Sequence, residues 1–397
     1  MLRSLALSVR AVFHHAILNT LIHIQPTPRF LPAVTATLPP DLTTLLRDGM
    51  PFIDVRAEIE FVKGTIPGAT NLPILDTRER EKVGTCYKRS GQDAAIALGH
   101  TLVTGAVKDS RIDAWVRFAR AHPEAWLYCW RGGLRSRTAA QWMAEAGCPV
   151  PVVPGGYKAL RQRLIDELAP AAAGERWYVI GGRTGSAKTS LVNALPGGID
   201  LEGFARHRGS SFGRRAGTPP AQVDFENALA VALLQQRHRA PGACLFLEDE
   251  SRQIGALAVP LEFYRRMRES PVAVLEVPLA QRVTKILDDY IRVDLAEHSA
   301  LDPERGFDNF ARQLEESLAR IRKRLGDERF REAHALMQHA LHAHRVLDDA
   351  ESHRSWIALL LEQYYDPMYD YQLGNAADRI VFRGDTDAVR AWALSRA

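Results

Sequence analysis

The sequence predicts an α/β fold: one parallel-sheet unit, a second α/β unit built around a phosphate-binding loop, and a mostly helical C-terminal region. Three observations predict it. The apolar runs Phe52-Ile53-Asp54-Val55-Arg56, Ala125-Trp126-Leu127-Tyr128 and Val150-Pro151-Val152-Val153 alternate with stretches of helical character, the pattern of a parallel sheet. Trp177-Tyr178-Val179-Ile180, Cys244-Leu245-Phe246-Leu247 and Val272 to Val277 repeat that pattern after the Ala169–Gly174 linker. From about Asp302 to Tyr365, charged and apolar residues recur at helical spacing.

Asp41 to Gly49 reads as a short helix, and Glu58-Ile59-Glu60-Phe61 starts another. Gly64 to Ala69 is rich in turn residues and leads into Asn71-Leu72-Pro73. Helices are expected within Cys86–Val107, over Asp109–His122, from Ser136 to Ala146 and over Lys158–Leu168. Ser190 to Leu195 is helical after the second glycine-rich loop. The expected divisions are an extension over 1–37, a first domain over 38–168, a second over 175–300 and the helical region over 301–397.

The chain has 397 residues, 46% hydrophobic and 25% charged, with net charge +4. That composition suits a water-soluble globular protein of two or three domains and argues against a chain that binds nucleic acid by bulk charge. The four cysteines (Cys86, Cys129, Cys148 and Cys244) form no CxxC pair and show no zinc spacing with histidine. A reducing, cytoplasmic setting is expected, with no membrane span and a monomer favoured. The first 40 residues hold no Asp or Glu and carry Arg3, Arg10 and Arg29, and read as an extension to the folded body.

Cys129 follows an apolar strand and opens a loop, Trp130-Arg131-Gly132-Gly133-Leu134-Arg135-Ser136, that runs into a helix. The glycines let backbone N–H groups turn inward, and the helix N-terminus adds positive potential. Such a cradle favours thiolate and holds an anion against it, with Arg131 or Arg135 neutralising charge and Ser136 capping the helix. Cys129, Arg131 and Arg135 are therefore the catalytic candidates, and Trp130, Gly132, Gly133, Leu134 and Ser136 the cradle.

Gly182 to Thr189 fits G-x-x-x-x-G-K-T except that Ala187 stands at the last glycine. It lies between a strand and a helix, the context a phosphate-binding loop requires. Gly182, Gly185, Ser186, Ala187, Lys188 and Thr189 are the diphosphate candidates, with a positive φ at Ala187 expected to be costly. Thr189, with Glu248 and Asp249 at the end of the Cys244–Leu247 strand, could hold a metal. Arg206, His207, Arg208 and Ser211 sit in a loop of basic, hydroxyl, aromatic and glycine residues that suits RNA. The tyrosine cluster Tyr364, Tyr365, Tyr369 and Tyr371 reads first as an aromatic anchor for the C-terminal helices. The arginines of Phe310–Leu325 read as a solvated face.

Asp54-Val55-Arg56, Gly64-Thr65-Ile66-Pro67-Gly68-Ala69-Thr70-Asn71-Leu72-Pro73, the Cys129 loop and Pro154-Gly155-Gly156-Tyr157 together resemble a rhodanese domain. The resemblance implies a cysteine that carries a persulfide or related adduct. Five residues separate Cys129 from Arg135, where the common rhodanese loop has four. Five is the spacing of cysteine phosphatases and larger-loop relatives, and a wider loop admits a tetrahedral anion; Tyr128 stands where phosphatases have histidine. With the phosphate-binding loop, Gly84-Thr85-Cys86-Tyr87-Lys88, Ala205–Gly213, Glu248–Arg252 and Tyr364–Tyr369, the chain resembles the tRNA 2-selenouridine synthase family over residues 38 to 390.

That resemblance implies a bacterial enzyme acting on tRNA with 2-thiouridine at the wobble position. Sulfur is replaced by selenium from selenophosphate, by way of S-geranyl-2-thiouridine made with geranyl diphosphate. Cys129 would hold the selenium and the Lys188 loop the diphosphate. The co-substrates come and go, no cofactor is tightly bound, Mg²⁺ is admitted, and a selenophosphate-supplying enzyme is the implied partner. The residues alone leave open a rhodanese-type sulfurtransferase or cysteine phosphatase fused to a nucleotide-binding domain, and an ATP-gated RNA-binding module.

Overall fold

Phe52–Asp54 is the central strand of a first parallel sheet, flanked by Ala69–Asn71 and Trp126–Tyr128. The computed structural model describes residues 41–169 and 175–396; the expected 1–37 extension lies outside them. The strand expected over Val150–Val153 is reduced to one parallel bridge, Leu127 to Val152. Pro151 and Pro154, which have no N–H, prevent a longer ladder.

The pleat splits the side chains of this sheet. Ile53, Val55, Leu127 and Cys129 pack with Trp115, Ala139 and Met143 on one face. Phe52, Trp126 and Tyr128 face the other way, against Leu160 and Leu164. The helix expected within Cys86–Val107 spans Thr77–Leu102, with a break at Gly91 (φ 82°). It starts early because Asp76 and Glu79 close a capping box: the Glu79 N–H donates to Asp76 at 2.7 Å, and the Asp76 N–H to Glu79 at 2.8 Å.

The second sheet is parallel throughout, in the order Ile380–Gly384, Val272–Leu275, Trp177–Gly182, Leu245–Glu248, Gly198–Ile199. Trp177–Gly182 is central, so the loop after it opens at the carboxyl ends of the strands, where parallel sheets bind ligands. Its edge strand comes from the stretch expected to be a separate helical region. Phe382 of that strand stacks on Trp392 of the following helix Thr386–Leu394, at 5.5 Å and 15°. The boundary expected at residue 300 is likewise absent. Val283, Ile286 and Leu287 share one core with Phe310, Leu318, Met337 and Trp356.

Helix Gln222–Arg239, not foreseen, lies between the two sheets. Its buried Phe225, Leu229 and Leu233 pack with Leu160 and Leu164 on one side and with Val179 and Leu247 on the other. At its start, Asp224 accepts the Thr65 N–H at 2.6 Å and the Thr65 hydroxyl at 2.8 Å. Asn227 accepts from Arg161 at 2.8 Å and donates to the Thr65 carbonyl. A continuous apolar core and buried polar pins make the two sheets one body. Among the described residues no helix is long and apolar enough to cross a membrane.

Candidate active site: a thiol loop and a phosphate-binding loop

The first sheet delivers Cys129 to the foot of helix Leu134–Glu145. The thiol is 3% exposed, and its Sγ lies 3.2 Å from the Ser136 hydroxyl. Ser136 does not cap the helix as expected: Gly133 is the N-cap, and the Ser136 oxygen lies 3.0 Å from the Gly133 carbonyl, so its one proton serves either that carbonyl or, once Cys129 ionises, the thiolate. Burial pushes the Cys129 pKa up. The Ser136 hydroxyl, the N–H groups of Ser136 and Arg131, and the Arg135 charge outweigh it, so the thiol sits below its ordinary value of 9.0. The thiolate is the charged form, so a lowered pKa means more nucleophile at neutral pH. Alkylation of Cys129 by iodoacetamide should reach half its maximal rate below pH 9.0, and Ser136→Ala should move that midpoint upward. An unmoved midpoint would remove Ser136 from the cradle.

The two arginines separate. Arg135 is clamped on Glu60, at 2.6 and 3.2 Å, and acts on the thiol through its charge. Arg131 is exposed and makes no ion pair among the described residues, so it is the arginine available to an incoming anion. Trp130 is 41% exposed and stacks on Tyr157 at 5.2 Å; Leu134 is also exposed, so both form the rim. Tyr128 packs with Phe52 on the opposite face of the sheet.

The Pro154-Gly155-Gly156-Tyr157 segment is the floor of the loop. The Tyr157 N–H donates to the Cys129 carbonyl at 2.9 Å, and the Lys158 N–H to the Trp130 carbonyl at 3.0 Å. Gly156 has φ +59°, and a Cβ there would lie 2.4 Å from both the Cys129 carbonyl and the Gly132 nitrogen. Gly156→Ala should therefore cost about 2 kcal/mol or more, read as a fall in the urea midpoint, and slow Cys129 alkylation. A variant unchanged in both would show that the floor does not shape the loop. Behind the floor, Arg56 is fully buried, paired with Asp54 at 2.6 Å and set over the Tyr157 ring at 3.9 Å.

The phosphate-binding loop closes over a cavity of about 320 Å³, lined by Gly185, Ser186, Ala187, Lys188 and Thr189 with Glu202 and Tyr369. Ala187 has φ 59° and ψ 34°, the left-handed conformation expected to be costly there. A Cβ at Gly182 would lie 2.8 Å from the Ser186 hydroxyl, and one at Gly185 2.9 Å from the Arg282 carbonyl. Lys188 donates to the Gly182 carbonyl at 2.9 Å under the Tyr369 ring. Burial alone would lower its pKa; Tyr369, Glu250, Glu202 and Asp249 outweigh it, so Lys188 stays cationic. The tyrosine cluster thus divides: Tyr365 anchors the helical core, Tyr369 roofs Lys188, and Tyr371 is exposed.

The metal candidates are rearranged. Glu202, which sequence reasoning missed, accepts the Thr189 hydroxyl at 2.9 Å and lines the cavity. Glu248 stands behind it, accepting the Glu202 N–H at 3.0 Å, and Asp249 is held by Arg268 at 3.1 Å. Neither Glu248 nor Asp249 lines the cavity. Burial, then Glu202 and Asp200, push Glu248 up to about 8; burial and Glu202 push Glu250 well above the usual carboxylate range. The signal for Glu202 was its place just after Gly198–Ile199, at the carboxyl end of a parallel strand.

The basic loop folds inward. Arg208 pairs with buried Asp294 at 2.6 Å, and Arg206 donates to the Thr218 carbonyl at 3.3 Å. The Ser211 carbonyl accepts from Arg320 at 2.8 Å. Burial, then Arg320 and Arg208, push His207 down to about 4, so it is neutral at ordinary pH.

Two family models match the chain: a rhodanese-like domain over residues 38–163, and a tRNA 2-selenouridine synthase AAA domain over 175–397. Curated relatives cover nearly all of it. The tRNA 2-selenouridine synthase of Hahella chejuensis is 51% identical over 89% of this chain and 93% of its own. That of Shewanella loihica is 48% identical over 88% and 94%. That of Marinobacter nauticus is 47% identical over 90% and 97%. With both loops built as described on one continuous core, the chain belongs to the tRNA 2-selenouridine synthase family.

Proposed function

We propose that this enzyme acts on the wobble 2-thiouridine of tRNA and replaces its sulfur with selenium in two steps, one at each loop. In the first step the thiocarbonyl sulfur attacks C1 of geranyl diphosphate. A C–S bond forms, the C–O bond breaks, diphosphate leaves and the uracil N3 proton is lost. The N–H groups of the phosphate-binding loop, with Lys188, take up the charge that develops on the diphosphate. In the second step the Cys129 thiolate attacks the phosphorus of selenophosphate: an S–P bond forms, the P–Se bond breaks, selenide is freed in the loop beside it, and water then returns the phosphorylated cysteine to thiol and phosphate. Selenium adds at C2, and the sulfur departs as neutral geranyl thiol. The observation that carries this reading is the pairing of two separate anion cradles, one thiol-bearing and one lysine-bearing, on a single body.

A divalent cation fits the second cradle. Ser186 Oγ and Glu248 Oε1 are buried without hydrogen-bond partners, beside the Thr189 hydroxyl and Glu202. Among the described residues no group of three or more His, Cys, Asp or Glu side chains is set to hold a metal alone. Mg²⁺ would arrive with its diphosphate, held through Thr189 and Glu202, and neutralise the leaving group.

The test is nucleoside mass spectrometry on 2-thiouridine tRNA incubated with the purified protein. Geranyl diphosphate alone should give S-geranyl-2-thiouridine, and added selenophosphate should convert it to 2-selenouridine. Formation of 2-selenouridine with the geranyl donor omitted would overturn the two-step order.

A further inference from the structure

A second cavity, of about 600 Å³, opens beside the one at the phosphate-binding loop. The two share His207, Ser210 and Arg215 as a common wall. Their chemistry differs. The first is walled by the loop N–H groups, Lys188, Asp200 and Glu202. The second is walled by Ala205, Ala216, Pro219, Ile254, Ala256 and Leu257, with Ile254 and Leu257 almost fully buried.

Arginines also reach this second cavity, but three of the four are engaged. Arg206 donates to the Thr218 carbonyl, Arg215 pairs with Glu297, and Arg320 donates to the Ser211 carbonyl. These bonds tie the three guanidinium groups to the protein. His207 forms the boundary between the two cavities.

We propose that the second cavity holds the hydrocarbon chain of the diphosphate donor and sets the chain length the enzyme accepts. The inference rests on the reading that sulfur is prenylated at the phosphate-binding loop. Size selects this cavity over its neighbour. The other apolar recess beside the loop, walled by Phe212, Trp356 and Tyr365, offers about 20 Å³, room for little more than one water. A chain anchored by its diphosphate in the first cavity has its C1 at the shared wall and its tail in the second.

The test compares dimethylallyl, geranyl and farnesyl diphosphates as donors to 2-thiouridine tRNA without selenophosphate. Ala216→Leu should lower the geranyl-to-dimethylallyl ratio of kcat/KM about tenfold, since one or two methylenes in an apolar pocket carry that much discrimination. Leu257→Ala should raise the farnesyl-to-geranyl ratio severalfold. Both variants should bind pyrophosphate as the wild type does, which reports an intact loop. Unchanged donor ratios in variants that still bind pyrophosphate would overturn the proposal. A raised KM for tRNA with unchanged ratios would do the same and assign the cavity to RNA. If the wild type transfers none of the donors, the transfer reading falls, and the cavity is judged by calorimetry. Geranyl diphosphate should then bind at least about tenfold tighter than pyrophosphate, with the gap lost in Ala216→Leu; equal affinities for the wild type would refute the cavity assignment.

Discussion

Cys129→Ala should abolish 2-selenouridine formation, by about three orders of magnitude or more, while S-geranyl-2-thiouridine still forms at nearly the wild-type rate. The thiol is placed to be a nucleophile. It ends a buried strand, faces the Ser136 hydroxyl at 3.2 Å, and has its thiolate favoured by two backbone N–H groups and the Arg135 charge. No other side chain in that loop is a soft nucleophile. The fold should survive, because the substitution removes one atom from a packed face that keeps Ile53, Val55, Leu127 and Met143. Cys129→Ser is the companion variant: it keeps the size and the Ser136 contact but lacks a soft nucleophile, and should be equally dead in selenation. Nucleosides analysed after single and combined additions of the two donors give the answer. Selenation that survives in either variant removes Cys129 from the reaction.

Lys188→Ala should show the reverse pattern. Geranylation should fall about 10²–10³-fold, and selenation of tRNA already carrying S-geranyl-2-thiouridine should persist. Lys188 is the cation at the head of the loop, 9% exposed, and Tyr369, Glu250, Glu202 and Asp249 hold it protonated. A charge in a water-poor cavity stabilises a departing diphosphate far more than one in solvent. Lys188→Arg should also fail. The planar guanidinium does not fit the slot between the Gly182 carbonyl and the Tyr369 ring. Pre-geranylated tRNA separates this result from misfolding, since a collapsed protein would lose both steps. Geranylation that is unchanged would take the diphosphate away from this loop.

Much of the site was legible because it is local. Cys129, Gly132 and Gly133 lie within five residues, as do Gly185, Lys188 and Thr189, and each set shapes one short stretch of backbone. A strand, a glycine-bearing turn and a helix start suffice for that, and all three leave a pattern in the chain. The less legible parts are those where a side chain's partner is far away in sequence. Arg135 looked like an anion ligand, but Glu60, seventy-five residues earlier, holds it. Asp249 looked like a metal ligand, but Arg268 takes it, and Glu202 stands in the cavity instead. Arg208 looked like an RNA contact, but Asp294 pairs with it.

The sequence by itself determined the two parallel sheets, the two glycine-bearing strand-to-helix loops, and the conformational demand on Ala187, which the fold meets at φ 59°. These depend on periodicity, on glycine, and on backbone geometry within a few residues. Tertiary structure decided the rest. It made helix Gln222–Arg239 the joint between the sheets, brought Ile380–Gly384 back as an edge strand, and stood Tyr369 over Lys188. It also set an apolar cavity against the phosphate-binding loop, across His207. Burial drives each of these. An apolar face or a charged group takes its partner from whatever the packed core brings near, and that choice is made over the whole chain.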